Sequence, residues 1–124
     1  GPTRGFFMLT EKEIHQLAMN VVGEALEADG FEFLAVNSKP KKDPQFVCLK
    51  DKKLHFIAVK GSCYPTNPKR YDKQWMDRIK THAQKYEAKT YYAGVGFAHA
   101  KDYHLPLDKN APYVINYEGL QEII

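Results

Sequence analysis

The 124-residue sequence predicts one α/β domain: a mixed sheet with helices, in the order helix, strand, strand, strand, helix, strand. Three observations predict it. Thr10-Glu11-Lys12-Glu13 is a capping box followed by apolar residues at three- and four-residue steps, the start of an amphipathic helix. Two β-branched and aromatic runs, 46–49 and 54–59, flank a short charged link, the pattern of a β-hairpin. A second helical stripe lies between that hairpin and a strand-like run at 90–97. A strand–helix–strand step of this kind pairs its strands in parallel through a right-handed crossover.

The elements follow in order. Gly1-Pro2 reads as the scar of a cleaved tag and Met8 as a candidate natural start, so residues 1–7 are set aside and 8–124 form the domain. Ile14, Leu17, Ala18, Val21, Val22, Ala25 and Leu26 make one apolar stripe, and Gly30 is the expected left-handed cap. Phe31 to Val36 reads as a strand with Phe31, Phe33 and Ala35 on one face. Residues 37–44 are polar with two prolines and cannot continue it. The hairpin link Asp51-Lys52-Lys53 lacks an Asn-Gly pair, which predicts a loop of three or more residues. Asn67-Pro68 can open a second helix running to about Ala88, with Tyr71, Trp75, Ile79, His82 or Ala83, and Tyr86 along its stripe. Tyr113 to Tyr117 is a candidate edge strand, and a short helix is expected from Glu118.

Composition bounds the function classes. With 44% hydrophobic and 27% charged residues the chain is an ordinary globular sequence, long enough to bury a core without staples. It contains no apolar run long enough for a transmembrane helix and no leader pattern, so no membrane insertion and a cytoplasmic location are expected. Cys48 and Cys63 lack the spacing of a redox or metal pair and read as a buried and a surface thiol. The net charge of +3 is unevenly distributed. Segment 39–60 has seven basic against two acidic residues and 69–89 has seven against three, whereas 10–32 has one against six. The basic excess falls on the hairpin and the second helix.

The hairpin carries Pro44-Gln45 at the start of its first strand and Ala58-Val59-Lys60 at the end of its second. This resembles the central hairpin of the PD-(D/E)xK nucleases, the restriction-endonuclease-like fold, where Pro-Asp opens one strand and (Asp/Glu)-x-Lys closes the next. The resemblance covers about residues 10–98 and implies that family's minimal core. It also implies that the two metal-binding carboxylates are replaced, by Gln45 and Ala58, while Lys60 is kept. Glu24 stands where the family often has an acidic residue on its first helix. Its plain reading is a solvated neighbour of Glu27.

Phosphodiester hydrolysis needs an activated water, charge neutralisation and leaving-group stabilisation, which magnesium supplies when carboxylates anchor it. Gln45 offers one neutral amide oxygen and Ala58 nothing. The sequence therefore predicts a catalytically degenerate domain acting as a binding or interaction module, with no cofactor. Nucleic acid is the first expected partner, with Lys41, Lys42, Lys50, Lys52, Lys53, Lys60 and Arg70 as candidate phosphate contacts. A protein partner meeting Tyr64, Tyr71, Tyr91 or Tyr92 is a second. One alternative is a magnesium-dependent nuclease with relocated acids, in which Asp43 serves with Glu24 or Asp51.

Other chemistry-bearing residues read as structural. Gly94-Val95-Gly96 lacks the third glycine of a dinucleotide fingerprint. His99, Asp102 and His104 fall in an irregular segment without zinc spacing and read as surface residues; His15 and His82 read as surface or boundary residues. From Met8 to the Tyr117-Glu118-Gly119-Leu120 tail, and through Thr90-Tyr91-Tyr92-Ala93-Gly94, the chain is also similar to a group of small Bacteroidetes proteins. They are labelled as resembling the F-type component of the sodium-translocating NADH:quinone reductase, or as NADH dehydrogenase-like. That label implies at most an accessory role in a redox complex. A true component of that complex needs a membrane anchor, a four-cysteine cluster and flavin and NADH sites, and this chain has two cysteines. Flavin and iron–sulfur cofactors are therefore not expected.

Overall fold

Thr10 and Glu13 exchange the two hydrogen bonds of the capping box, at 3.0 and 3.1 Å, and helix α1 runs from Glu11 to Ala28. The computed structural model describes residues 8–40 and 44–124. Helix α1 ends where the sequence expects: Gly30 has φ 84°, its amide donates to Glu27, and the Phe31 amide donates to Leu26. Those are the paired bonds of a Schellman motif, closed by the residue that tolerates a left-handed backbone best.

The remaining elements are β1 (Glu32–Val36), β2 (Phe46–Lys50), β3 (Lys53–Cys63), α2 (Lys73–Gln84), β4 (Lys89–His99), β5 (Tyr113–Asn116) and β6 (Gln121–Ile123). The sheet order is β1-β2-β3-β4-β5, with β6 also on β4. The chain is thus of the mixed α/β class, and β3 pairs with β4 in parallel from His55↔Lys89 to Cys63↔Phe97. The other pairings are antiparallel.

Strand alternation sorts β3 onto two cores. Ile57 and Val59 pack with Phe46, Cys48 and the Ala18, Val22 and Leu26 stripe of α1. Phe56 and Ala58 face the other way, under Trp75, Met76, Ile79 and Ala83 of α2. Gly61 lets α1 sit close, because a Cβ there would lie 2.8 Å from the Ile14 carbonyl oxygen. Leu107 joins the α1-side core, which anchors the segment following β4.

Several expectations are corrected. The hairpin closes in two residues: Asp51 and Lys52 both have positive φ, 52° and 65°, the geometry of a tight primed turn without its usual glycine. Ala35 is exposed because the β1–β2 register shifts between Phe33 and Ala35. Helix α2 starts five residues after Pro68, with Asp72 as its N-cap, because Asn67 instead closes a turn by accepting the Lys69 amide. It ends in a Schellman arrangement around Glu87, φ 55°, with Ala88 donating to Ala83 and Glu87 to Gln84. Of His82 and Ala83 it is Ala83 that joins Trp75 and Ile79 in the buried stripe, and His82 is exposed against Phe56 and Tyr86.

The expected terminal helix is a strand. β5 covers the C-terminal half of β4 (Gly96–His99) and β6 covers Thr90–Tyr92. Between them Tyr117 and Leu120 turn into the α1-side core, and Gly119, φ 96°, makes that excursion possible. His15 is buried, with no hydrogen-bond partner for Nε2 among the described residues, and burial lowers its pKa. His99 is also buried, since β4 extends to it, and its Nδ1 accepts the Lys101 amide at 3.1 Å. Cys48 is buried and its thiol is pushed up to about 11 by burial, while Cys63 is half-buried against the core rather than a surface thiol.

Candidate functional site

Gln45 is fully buried and bonded on several sides. Its amide donates to the Ile57 carbonyl at 3.1 Å, its carbonyl accepts the Asn37 amide at 2.7 Å, and its side-chain Oε1 accepts the Val59 amide at 2.7 Å. Gln45 thereby brackets Ala58, bonding β3 on each side of it. The position expected to carry a metal-binding carboxylate is a ladder link. Ala58 is fully buried beneath α2.

The residues expected around a vestigial metal site do not assemble. Glu24 is exposed and lines a depression of about 340 Å³ on the α1 side, with Gly23, Phe33 and Phe46. Lys60 lies on the opposite face, in a different cleft. Asp43 is outside the described residues. Among the described residues no three His, Cys, Asp or Glu side chains gather in metal-binding geometry, His99, Asp102 and His104 included.

The candidate phosphate contacts also separate. Lys50 lies over the Phe31 ring, 4.8 Å from its centroid, and Lys52 and Lys53 occupy the hairpin tip. Lys60 is seven residues up β3 from Lys53, roughly 23 Å away at strand rise. There it lines a cleft with Arg70. Lys41 and Lys42 lie outside the described residues. The four tyrosines do not form one exposed face: Tyr64 is exposed, Tyr71 and Tyr91 are half-buried, and Tyr92 is buried with its phenol raised to about 12 by burial.

The cleft at Lys60 has a volume of about 280 Å³ and is bounded by Lys60, Ser62, Thr66, Asn67, Arg70 and Tyr92. It lies near the C-terminal end of β3 and before the N-terminus of the crossover helix, with Tyr92, the fourth residue of β4, in its wall. Its wall is the 64–72 loop, which contains a cis Tyr64-Pro65 bond. The loop is pinned by Tyr64 donating to the Phe97 carbonyl at 2.9 Å, by the Tyr92 hydroxyl donating to the Arg70 carbonyl at 3.4 Å, and by a Lys69–Glu118 ion pair of 2.7 Å.

Gly94 explains why the loop can lie so low. A Cβ there would fall 1.8 Å from the Pro68 carbonyl oxygen, and one on Gly96 would meet the Pro68 ring at 3.0 Å. The Gly94-Val95-Gly96 run is thus a floor on which Pro68 rests, Val95 pointing to the other core. Two glycines at alternate strand positions were the available sequence signal for that close approach.

Within the cleft the two cations project from exposed residues alongside the Asp72 carboxylate, one oxygen of which accepts the Trp75 amide at 3.2 Å. The Ser62 hydroxyl is buried without a hydrogen-bond partner among the described residues. Two cationic side chains lining one concavity suit an anionic oxygen. Sequence reasoning named Lys60 and Arg70 but missed Ser62, Thr66 and Asn67, which carry no local motif.

No curated protein and no solved structure matches the chain. A family model described as a domain of unknown function, DUF8840, matches residues 12–123, and the chain belongs to that family.

Proposed function

We propose that the chain is a non-catalytic binding module on a restriction-endonuclease-like scaffold, and that it holds phosphate groups of a nucleic acid in the Lys60–Arg70 cleft. The observation that carries this reading is that Lys60 and Arg70 line one concavity beside the C-terminal end of β3. The structural employment of Gln45 and the burial of Ala58 support the loss of metal-dependent hydrolysis.

Fluorescence anisotropy of labelled DNA and RNA oligonucleotides tests the reading, at about 50 and 200 mM salt with magnesium present. A contact with two phosphates weakens about tenfold between those concentrations. Lys60→Glu and Arg70→Glu abolish binding, whereas Lys52→Glu with Lys53→Glu leaves most of it. Salt-independent or absent binding refutes the reading, and magnesium-dependent loss of the probe restores the nuclease.

A further inference from the structure

Two aromatic rings with no core role stand exposed, one of them, Tyr64, at the start of the loop that walls this cleft. Tyr64 is 45% and Tyr103 56% exposed, and their ring centroids lie 5.6 Å apart. His104 adds a third ring, 5.4 Å from Tyr64 and nearly perpendicular to it. Tyr64 opens the loop that supplies Thr66, Asn67 and Arg70 to the cleft, and its Cα is at most about 7 Å from that of Thr66.

The platform is held from both sides. The Tyr64 amide bonds Phe97, and the Thr66 amide bonds Cys63. On the opposing segment the Asp102 carboxylate accepts the His104 amide at 2.9 Å, and its carbonyl accepts the Leu105 amide at 3.0 Å. Rings fixed at the backbone and open at the face are pre-organised for stacking. Lys60 and Arg70, four residues before and six after Tyr64 in the chain, supply the charge that tracks a phosphodiester chain, and aromatic rings with a cationic groove form the combination that takes unpaired bases.

We propose that the nucleic acid is single-stranded, with its phosphates at Lys60 and Arg70 and successive bases stacked on Tyr64 and Tyr103. This rests on the reading above. A duplex keeps its base faces within its own stack and can use the cations alone, so the tyrosines discriminate strand state without reading sequence.

The test compares three fluorescein-labelled probes of equal length by anisotropy: oligothymidylate, a duplex, and an abasic phosphodiester strand. Oligothymidylate is expected to bind at least about fivefold more tightly than either other probe, the lower bound for one stacked base. Tyr64→Ala and Tyr103→Ala each bring oligothymidylate binding down to that of the abasic strand measured on the same variant, and Tyr64→Phe and Tyr103→Phe retain the preference. Tyr103→Ala gives an independent reading if Tyr64→Ala disturbs the loop. Equal binding of the three probes, abolished by Lys60→Glu but indifferent to both tyrosines, overturns the single-strand inference and leaves the phosphate reading standing. No binding to any probe overturns both.

Discussion

The side-chain carbonyl of Gln45 accepts the backbone amide of Val59 at 2.7 Å, so a side chain just ahead of β2 adds a link to the β2–β3 ladder.

Gln45→Ala therefore strands a buried Val59 amide and costs about 1–3 kcal/mol of stability. Urea denaturation measures it. An unchanged midpoint would show that the bond is dispensable.

Restoring the nuclease carboxylates is expected to damage the protein rather than revive it. Gln45→Asp shortens the link, and Ala58→Glu drives a charge among Trp75, Met76 and Tyr92. The double variant loses at least about 3 kcal/mol, as an unpaired buried charge does. It shows no magnesium-dependent cleavage of a labelled duplex in a gel assay.

Gly94→Ala forces its Cβ onto the Pro68 carbonyl and lifts the 64–72 loop. Overpacking of this kind costs up to about 3 kcal/mol. Limited proteolysis is expected to cut within 64–72 in the variant before the parent.

Lys52 sits at φ 65° in the hairpin turn, a conformation that costs a side chain about 1–2 kcal/mol. Lys52→Gly relieves most of it, and thermal unfolding is expected to shift upward by a few degrees. A downward shift would mean that the lysine stem contributes packing the turn needs.

His15 gives the fold a pH dependence with a definite sign. Burial lowers its folded pKa below the ordinary 6.5, with the Ser38 carbonyl opposing part of the shift. The unfolded chain takes up the proton first on acidification, so this contribution is intact above about pH 6.5 and declines as pH falls from there toward the folded pKa. His15→Leu removes the dependence. Urea midpoints from pH 7.5 to 5 are expected to fall less in the variant, and parallel curves would place the acid sensitivity elsewhere.

The parts of the fold legible in the sequence were those specified locally. Thr10, Glu13 and Gly30 mark both ends of α1 by short-range chemistry, and the apolar runs of β2, β3 and β4 carry strand periodicity. Misread elements were decided at a distance. Asn67-Pro68 has the composition of a helix start, but docking on Gly94 and Gly96 holds it as a turn. Residues 118–124 looked helical until the free edge of β4 at Thr90–Tyr92 claimed Gln121–Ile123. Within the site, Lys60 and Arg70 stood out by charge, whereas Ser62 and Tyr103 gain meaning from a loop fold that no local spacing records. The hairpin lysines looked equivalent in sequence, and strand length alone separates them from the cleft.

The division of labour around Pro68 and Gly94 has an evolutionary consequence. The shape of the cleft is set by Pro68 resting on Gly94 and Gly96, while its positive charge is carried by Lys60 and Arg70, both exposed. Those two can be exchanged without disturbing either core. Descendants of this architecture are therefore free to retune what they hold while inheriting the same mould.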